Sequence, residues 1–404
     1  MDIQDPQFRT AAQETAVQDR VVSSPPKLLR PTWAEISLSK LRRNFEVVRR
    51  LAGTRRIMAV VKADAYGHGA VAIARTLAQA GADWFGVATV EEALELRAAG
   101  IEKPVLLLGG LYMSDPSDLI EYHLTPTVSS TVRLDTYAEC AQRYGRTIEF
   151  HLKVDTGMGR LGLPLDRVKA FIERYRELPG LEMKGLFTHL ASAEDLVASQ
   201  TEEQAARFRE ALRQVQKLGI KPEWLHVANS AALVGGSSFP ENLVRIGALL
   251  YGYCLPLVLP PEKQVPAFPP VEPILTLKSR VVYLKDVPSG TPLGYGADFH
   301  TRRRSRIATV PVGYADGLSR ALSNRGRVIV RGCAARIVGN ISMDLTLLDV
   351  TDVPGVDIGD EVTLLGQADH CSITALEIAE LVGTVPYEVL CSIGKRVPRI
   401  YLDS

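Results

Sequence analysis

The stretch Arg56–Gly69, RIMAVVKADAYGHG, decides the fold. Ile57 to Val61 is a short apolar run with a β-branched end, long enough for one fully buried strand. It stops at Lys62, passes through Ala63-Asp64-Ala65-Tyr66, and opens a helical pattern at Gly67-His68-Gly69. A lysine just past a buried parallel strand stands where barrel and doubly wound enzymes place their chemistry. Its amine can form a Schiff base with a carbonyl compound. The plainer alternative is a lysine that snorkels from a strand end to water.

Outward from this stretch, apolar and amphipathic runs alternate. Trp84–Ala88, Val105–Leu108, Leu124–Val128, Ile148–Val154, Leu181–His189, Leu225–Val227 and Leu243–Gly247 read as strands. Glu91–Ala99, Asp115–His123, Thr131–Tyr144, Asp166–Leu178 and Thr201–Leu218 read as helices between them. With the Ile57 run this makes eight strand–helix units in about 200 residues, which favours an α/β fold of the (β/α)8 barrel type over an open sheet. Before the barrel, Thr32 to Ser37 reads as a strand, and Ser39 as the cap of a helix to about Leu51.

Pro256 to Pro273 holds seven prolines in eighteen residues, too many for a helix or a central strand. Beyond it come short strands at Leu275–Leu284, Arg306–Val310, Val328–Val330, Ala335–Val338, Leu345–Val350 and Glu361–Leu365. One helix is expected there, capped by Ser372 or Thr374 and ending before Gly383. The expected organisation is a disordered extension over residues 1–30, a barrel over 31–270 and a mostly β domain over 271–404.

A net charge of +1 argues against nucleic acid as a partner. No apolar run reaches the roughly 18 residues of a membrane span. Five scattered cysteines, without metal-ligand spacing and without a signal-peptide pattern, suit reduced thiols in the cytoplasm.

A barrel places its active site at the C-terminal ends of the strands. There the first unit offers Lys62 and Tyr66, and the fifth offers HLKVDTGMGR (151–160) with Lys153 and Arg160. The sixth ends at Thr188-His189, the seventh at Asn229-Ser230, and the eighth carries Arg245 with Gly247-Ala248. Loops after strands seven and eight commonly hold a phosphate through backbone N–H groups and a hydroxyl, a role that Ser230, Gly247 and Ala248 fit. Singly, each has a plainer reading, such as a core histidine for His189 or a surface ion pair for Arg245. A lysine able to form a Schiff base, facing a phosphate site in one barrel mouth, is the combination that pyridoxal 5'-phosphate (PLP) requires.

From about Pro31 to Leu402 the chain closely resembles the alanine racemase family. The motifs that carry the resemblance are AVVKADAYGHG (59–69), LKVDTGMGRLG (152–162), THLASAE (188–194), HVANSAA (226–232), VRIGALLYG (244–252), PLGYGADF (292–299), VPVGYADGLSR (310–320), VGNISMD (338–344) and YEVLCSIGKRVPRIY (387–401). The joint presence of the GYGADF and SMD segments is far more specific than the lysine motif alone.

The resemblance implies a homodimer that interconverts L- and D-alanine with two bases, supplying D-alanine for peptidoglycan. Lys62 matches the PLP lysine, which is also the base on one face of the substrate. Tyr295 matches the base on the other face, contributed by the partner subunit. His189 matches a histidine near that tyrosine and the cofactor ring. Arg245 matches the arginine that hydrogen-bonds the pyridine nitrogen. Arg160 and the backbone N–H of Met343 match the groups that bind the substrate carboxylate, and Lys153 matches a lysine often carbamylated. Tyr66, Ser230, Gly247 and Ala248 match phosphate ligands. Tyr314 and Asp344 match polar residues lining the site from the second subunit, and no metal is implied.

Three positions depart from the family pattern. Lys395 stands where a tyrosine is usual, Asn340 where an arginine is common, and Ser342 where a cysteine often precedes the methionine. None of them is expected to touch the two bases, so they bear on substrate breadth and leave the reaction type alone. The alternatives are a broad-specificity racemase acting on amino acids such as serine or lysine, a barrel decarboxylase, which resembles its relatives in using a carboxylate at the Arg245 position, and a PLP carrier, which resembles the barrel alone.

Overall fold

The computed structural model describes residues 29–236, 238–254, 256–259 and 269–403. The N-terminal extension expected over 1–30 therefore lies outside the described residues except for Leu29 and Arg30. The chain divides into two compact units. Among the described residues, one holds those within 41–65 and 73–272; the other holds 29–40, 66–72 and 273–403.

The first strand, β1 (Thr32–Ser37), is followed in chain order by β2 (Arg56–Val60), β3 (Trp84–Val87), β4 (Val105–Leu107), β5 (Leu124–Val128), β6 (Ile148–Asp155), the two-residue β7 (Leu163–Pro164), β8 (Leu181–Phe187), β9 (Trp224–His226) and β10 (Leu243–Ile246). Strands β2 to β10 form one parallel sheet in the order β10-β2-β3-β4-β5-β6-β8-β9, with β7 beside β6. This is the eight-stranded barrel expected from the alternation of runs. Its strands read as largely apolar runs because both faces are covered. Met58, Trp84, Leu106 and Leu243 pack into one buried cluster inside it.

The gap between β9 and β10 is stitched largely by side chains. Glu241, its side chain fully buried, accepts from the amides of Val227 and Ala228, each at 2.8 Å, and pairs with Arg55 at 3.0 Å. Asn242 accepts from Leu225 N at 2.9 Å and donates to Glu223 O at 2.7 Å. A glycine is required at 185, where any Cβ would come within 2.4 Å of the His151 ring. The imidazole of His151 takes that space.

In the second unit, β1 pairs antiparallel with β11 (Leu275–Arg280) and parallel with the last strand of the chain, Arg399–Leu402. Between these come β12 (Tyr283–Val287), the hairpin β13 (Pro292–Leu293) and β14 (Phe299–His300), β15 (Ser305–Val310), β16 (Arg327–Val330), β17 (Cys333–Ile337), β18 (Thr346–Asp349), β19 (Glu361–Ala368) and β20 (Cys371–Ile373). All but the β13–β14 hairpin join one ten-stranded sheet. The run expected as a single strand over Leu275–Leu284 is two, β11 and β12, because Val281 leaves the ladder to bond Asp360 O. The helix after Thr374 is present as Ala375–Val382, with Thr374 capping Glu377 N and Gly383 closing it left-handed. A second short helix, Pro386–Cys391, follows with proline at its start.

Candidate active site

Lys62 begins a single helical turn, Lys62–Gly67, at the C-terminal end of β2. The turn is left-handed: Ala63, Asp64, Ala65 and Tyr66 have φ of 52°, 53°, 52° and 56°. Left-handed backbone at a residue with a Cβ costs about 1–2 kcal/mol, so four such residues in a row need firm external support. Part of that support is the bond from Ala65 N to Val61 O, 2.8 Å. Tyr66, four residues on, packs edge-on to Tyr387 with ring centroids 5.9 Å apart, and burial pushes its phenol up.

The barrel mouth is strongly cationic. Lys153 on β6 is buried, with Nζ 5.6 Å from the centre of the Phe187 ring, and burial with Arg245 and Arg160 nearby pulls its amine down to about 8. Arg160 is exposed on the loop after β6. That loop is shaped by Asp155, whose carboxylate accepts from the amides of Gly157, Met158 and Gly159 at 2.9, 3.0 and 3.1 Å.

Arg245 on β10 is only 4% exposed, and burial pulls it down to about 10, which leaves it cationic at neutral pH. Nη2 donates to Thr188 O at 2.8 Å, Val227 O at 2.9 Å and His189 Nδ1 at 3.2 Å, while Nη1 donates to His226 Nδ1 at 3.0 Å. A guanidinium can only donate, so both imidazoles accept at Nδ1 and carry their proton at Nε2. His226 Nε2 then donates to His151 Nδ1, 2.9 Å away. Burial, with Arg245 adding to it, pulls His189 and His151 down to about 3 and His226 well below its usual range, so all three are neutral. No hydrogen bond of Arg245 among the described residues uses Nε.

At the β9 and β10 ends, Ser230 opens the helix Ser230–Val234, which Asn229 caps by accepting from Ala232 N at 3.0 Å. Ser230 Oγ accepts from the amides of Gly247 and Leu249 at 3.3 and 3.4 Å, flanking Ala248. Ser230, Gly247 and Ala248 therefore meet at one place.

The remaining candidates lie in the β-rich unit and also cluster. Contrary to the expectation that it touches neither base, Asn340 bonds the residue of one: its Nδ2 donates to the Tyr295 carbonyl at 2.8 Å and also to Asp298. The amides of Tyr314 and Ala315 donate to Ser342 O and Met343 O, both at 3.1 Å. Gly313 permits this approach, since a Cβ there would fall 2.3 Å from both carbonyls. Arg396 reaches Asp344 at 2.7 Å, which ties the loop of Lys395 to the same group. In the single chain this cluster is open: Tyr295 is 75% exposed, Met343 52% and Tyr314 44%.

Several supporting residues were not singled out in the sequence, Asp155 and His226 although they lie inside the quoted motifs, Glu241 and Gln204 because they carry no pattern. Asp155, His226, Glu241 and Gln204 all hold site groups, Gln204 by donating to His189 O at 3.0 Å and accepting from Ala191 N at 2.9 Å. Glu92 had a local signal, as the last residue of a Thr89-x-x-Glu92 capping box.

The barrel residues fit PLP on their charge. Burial lowers His189, and the charges of Arg245, Lys153, Arg160 and Lys62 all add to that lowering. Of the acids near them, Asp155 is bound by three amides and Glu241 is paired with Arg55. That leaves a positive surplus suited to a phosphate and a carboxylate. A parallel barrel with a lysine at the end of its first strand, a cationic mouth and a following β-rich domain defines a PLP-dependent barrel enzyme.

Family models narrow this class. That for the alanine racemase N-terminal domain matches residues 36–255, and that for the C-terminal domain matches residues 274–401. The alanine racemase of Halothermothrix orenii is 43% identical over 376 residues, covering 93% of this chain and 98% of the relative. Among solved structures, alanine racemase from a D-cycloserine-producing Streptomyces lavendulae aligns with a TM-score of 0.86 at 36% identity, covering 94% and 98% of the two chains. That of Bartonella henselae, with covalently bound pyridoxal phosphate, aligns with a TM-score of 0.81 at 33% identity over 92% and 99%. The chain belongs to the alanine racemase family. It is a PLP-dependent isomerase of L- and D-alanine.

Proposed function

We propose that racemisation uses two bases from different subunits of a homodimer, Lys62 of one chain and Tyr295 of the other. Lys62 would hold PLP at rest and release it to the substrate amine, where PLP would supply the electron sink that acidifies the Cα–H and leave Nζ free as a base. Lys62 Nζ takes or returns the proton on one face, and the Tyr295 hydroxyl does so on the other, which inverts the centre. Arg160, with the Met343 N–H of the partner subunit, binds the substrate carboxylate. Ser230 and the amides at Gly247 and Ala248 hold the phosphate, with Tyr66 as a further ligand. Arg245 only donates, so it keeps the ring nitrogen unprotonated and the electron sink weak, which favours return of the proton to Cα over side reactions. His189 lines the ring. The lowered Lys153 amine is more often neutral than a free lysine, and the neutral amine can add carbon dioxide and release a proton to water, giving a carbamate anion that orients Arg160. Tyr314 and Asp344 line the site from the second subunit.

The observation that carries the dimer reading is the exposure of Tyr295, at 75%, within a cluster of exposed site residues. A second subunit would cover it and complete the constellation. We take the protein to work in the cytoplasm and to supply D-alanine for peptidoglycan. Among the described residues no helix is long and apolar enough to cross a membrane.

Incubation with PLP and single L-amino acids in deuterated water, read by chiral chromatography and mass spectrometry, tests the reaction. D-alanine should dominate and carry deuterium at Cα. Lys395 is exposed and has no partner among the described residues. Comparable turnover of serine or lysine would make the protein a broad-specificity racemase.

A further inference from the structure

The left-handed turn after Lys62 sets where the lysine amine points, yet its own sequence, Ala63-Asp64-Ala65-Tyr66, contains no glycine to favour that backbone. Something outside the turn must hold it. Glu92, in the helix Val90–Ala98 that follows β3, does so directly: its Oε1 accepts from Ala63 N at 2.7 Å. Its Oε2 accepts from Ala88 N at 2.7 Å, just past the C-terminal end of β3, the strand beside β2.

A plain capping role does not account for these contacts. The two bonds that make the capping box, Thr89 N to Glu92 Oε2 and Glu92 N to Thr89 Oγ1, are both long at 3.4 Å. The carboxylate spends its short, charge-assisted bonds on Ala63 and Ala88. One carboxylate thus bridges the first residue after Lys62 to the end of the neighbouring strand.

We propose that Glu92 is a positioning residue for Lys62. Its two oxygens lock the Ala63 amide to the end of β3 and keep the strained turn, with the lysine amine, in one orientation. This rests on the reading of Lys62 as the lysine that takes PLP. A glutamine at 92 has a single acceptor oxygen, and its NH2 would face an N–H, so one of the two bridges must break.

The test strips the purified protein of cofactor, adds PLP, and follows affinity by titration and covalent capture by borohydride trapping with peptide mass spectrometry. In capture the Lys62 amine adds to the PLP aldehyde and water leaves. Glu92→Gln should weaken affinity by about tenfold or more and slow capture at Lys62. Thr89→Ala, which removes the cap and spares both bridges, should lower the melting temperature and leave capture at the wild-type rate. Capture at the wild-type rate and affinity in folded Glu92→Gln would overturn the proposal, as would an equal slowing in Thr89→Ala. If Glu92→Gln fails to fold, Glu92→Asp, which keeps the charge on a shorter arm, should show the same slowing, and wild-type capture there would equally overturn it. Capture of PLP by wild type at a lysine other than Lys62 would instead overturn the cofactor reading, whatever Glu92 does.

Discussion

The barrel mouth and the loop cluster around Tyr295 are built in opposite ways. In the barrel, Arg245 makes four hydrogen bonds at 4% exposure, and Asp155, Glu241 and Gln204 fix the loops around it. The backbone of the β-rich cluster is equally well tied, through Asn340 and the Ser342 and Met343 carbonyls, yet its side chains stand in solvent. One region is closed within a single chain, and the other holds its backbone in place while its site side chains are exposed. That contrast is the physical argument for two subunits per site.

The largest effect should fall on the open half. Tyr295→Phe should lower kcat by about 10²–10⁴ while PLP stays bound, because a single base returns the proton to the face it left and so regenerates the starting isomer. Steady-state kinetics beside the cofactor absorbance reads this, and retained turnover would break the comparison.

The next falls on the closed half. Arg245→Met leaves the Thr188 and Val227 carbonyls and two buried imidazoles without their donor, and should destabilise the cofactor-free chain by about 3–5 kcal/mol in urea unfolding.

Lys153 sharpens the same side through pH. Its folded-state value of about 8 lies below its ordinary 10.5, so the unfolded chain binds more protons between those values. In protein freed of carbon dioxide, so that Lys153 is the free amine, stability should therefore rise as pH climbs from about 8 to 10.5, by of the order of 3 kcal/mol, and this gain should be missing in Lys153→Met.

The smallest effect belongs to the exposed rim. Arg396 pairs with Asp344 at 2.7 Å and more loosely with Asp316 at 3.5 Å, its own side chain 47% exposed, so Arg396→Ala should shift stability by only about 1 kcal/mol. Asp316, fully buried nearby, keeps its two-bond pair with Arg30 at 2.7 and 2.8 Å.

The barrel strands were legible because strands buried on both faces write themselves as largely apolar runs, as at Trp84–Val87 and Val105–Leu107. The strand Thr32–Ser37 was equally legible, but its pairing with β11 and the last strand was not, since a local pattern names no partner. The left-handed turn was invisible, because its residues carry no glycine signal and its support comes from Glu92, 29 positions from Ala63. Glu241, Asp155 and Gln204 were missed for the same reason: each acts by accepting or donating to backbone, a service any sequence context can hide.

Subunit complementation tests the shared-site claim most directly. Lys62→Ala and Tyr295→Phe proteins, each inactive alone, would be mixed, dissociated and reassociated, and racemase activity measured. Random pairing puts half the dimers in the mixed form, with one intact site in each, so activity should return to about a quarter of wild type. No recovery from correctly mixed dimers would place both bases in one chain and contradict the account.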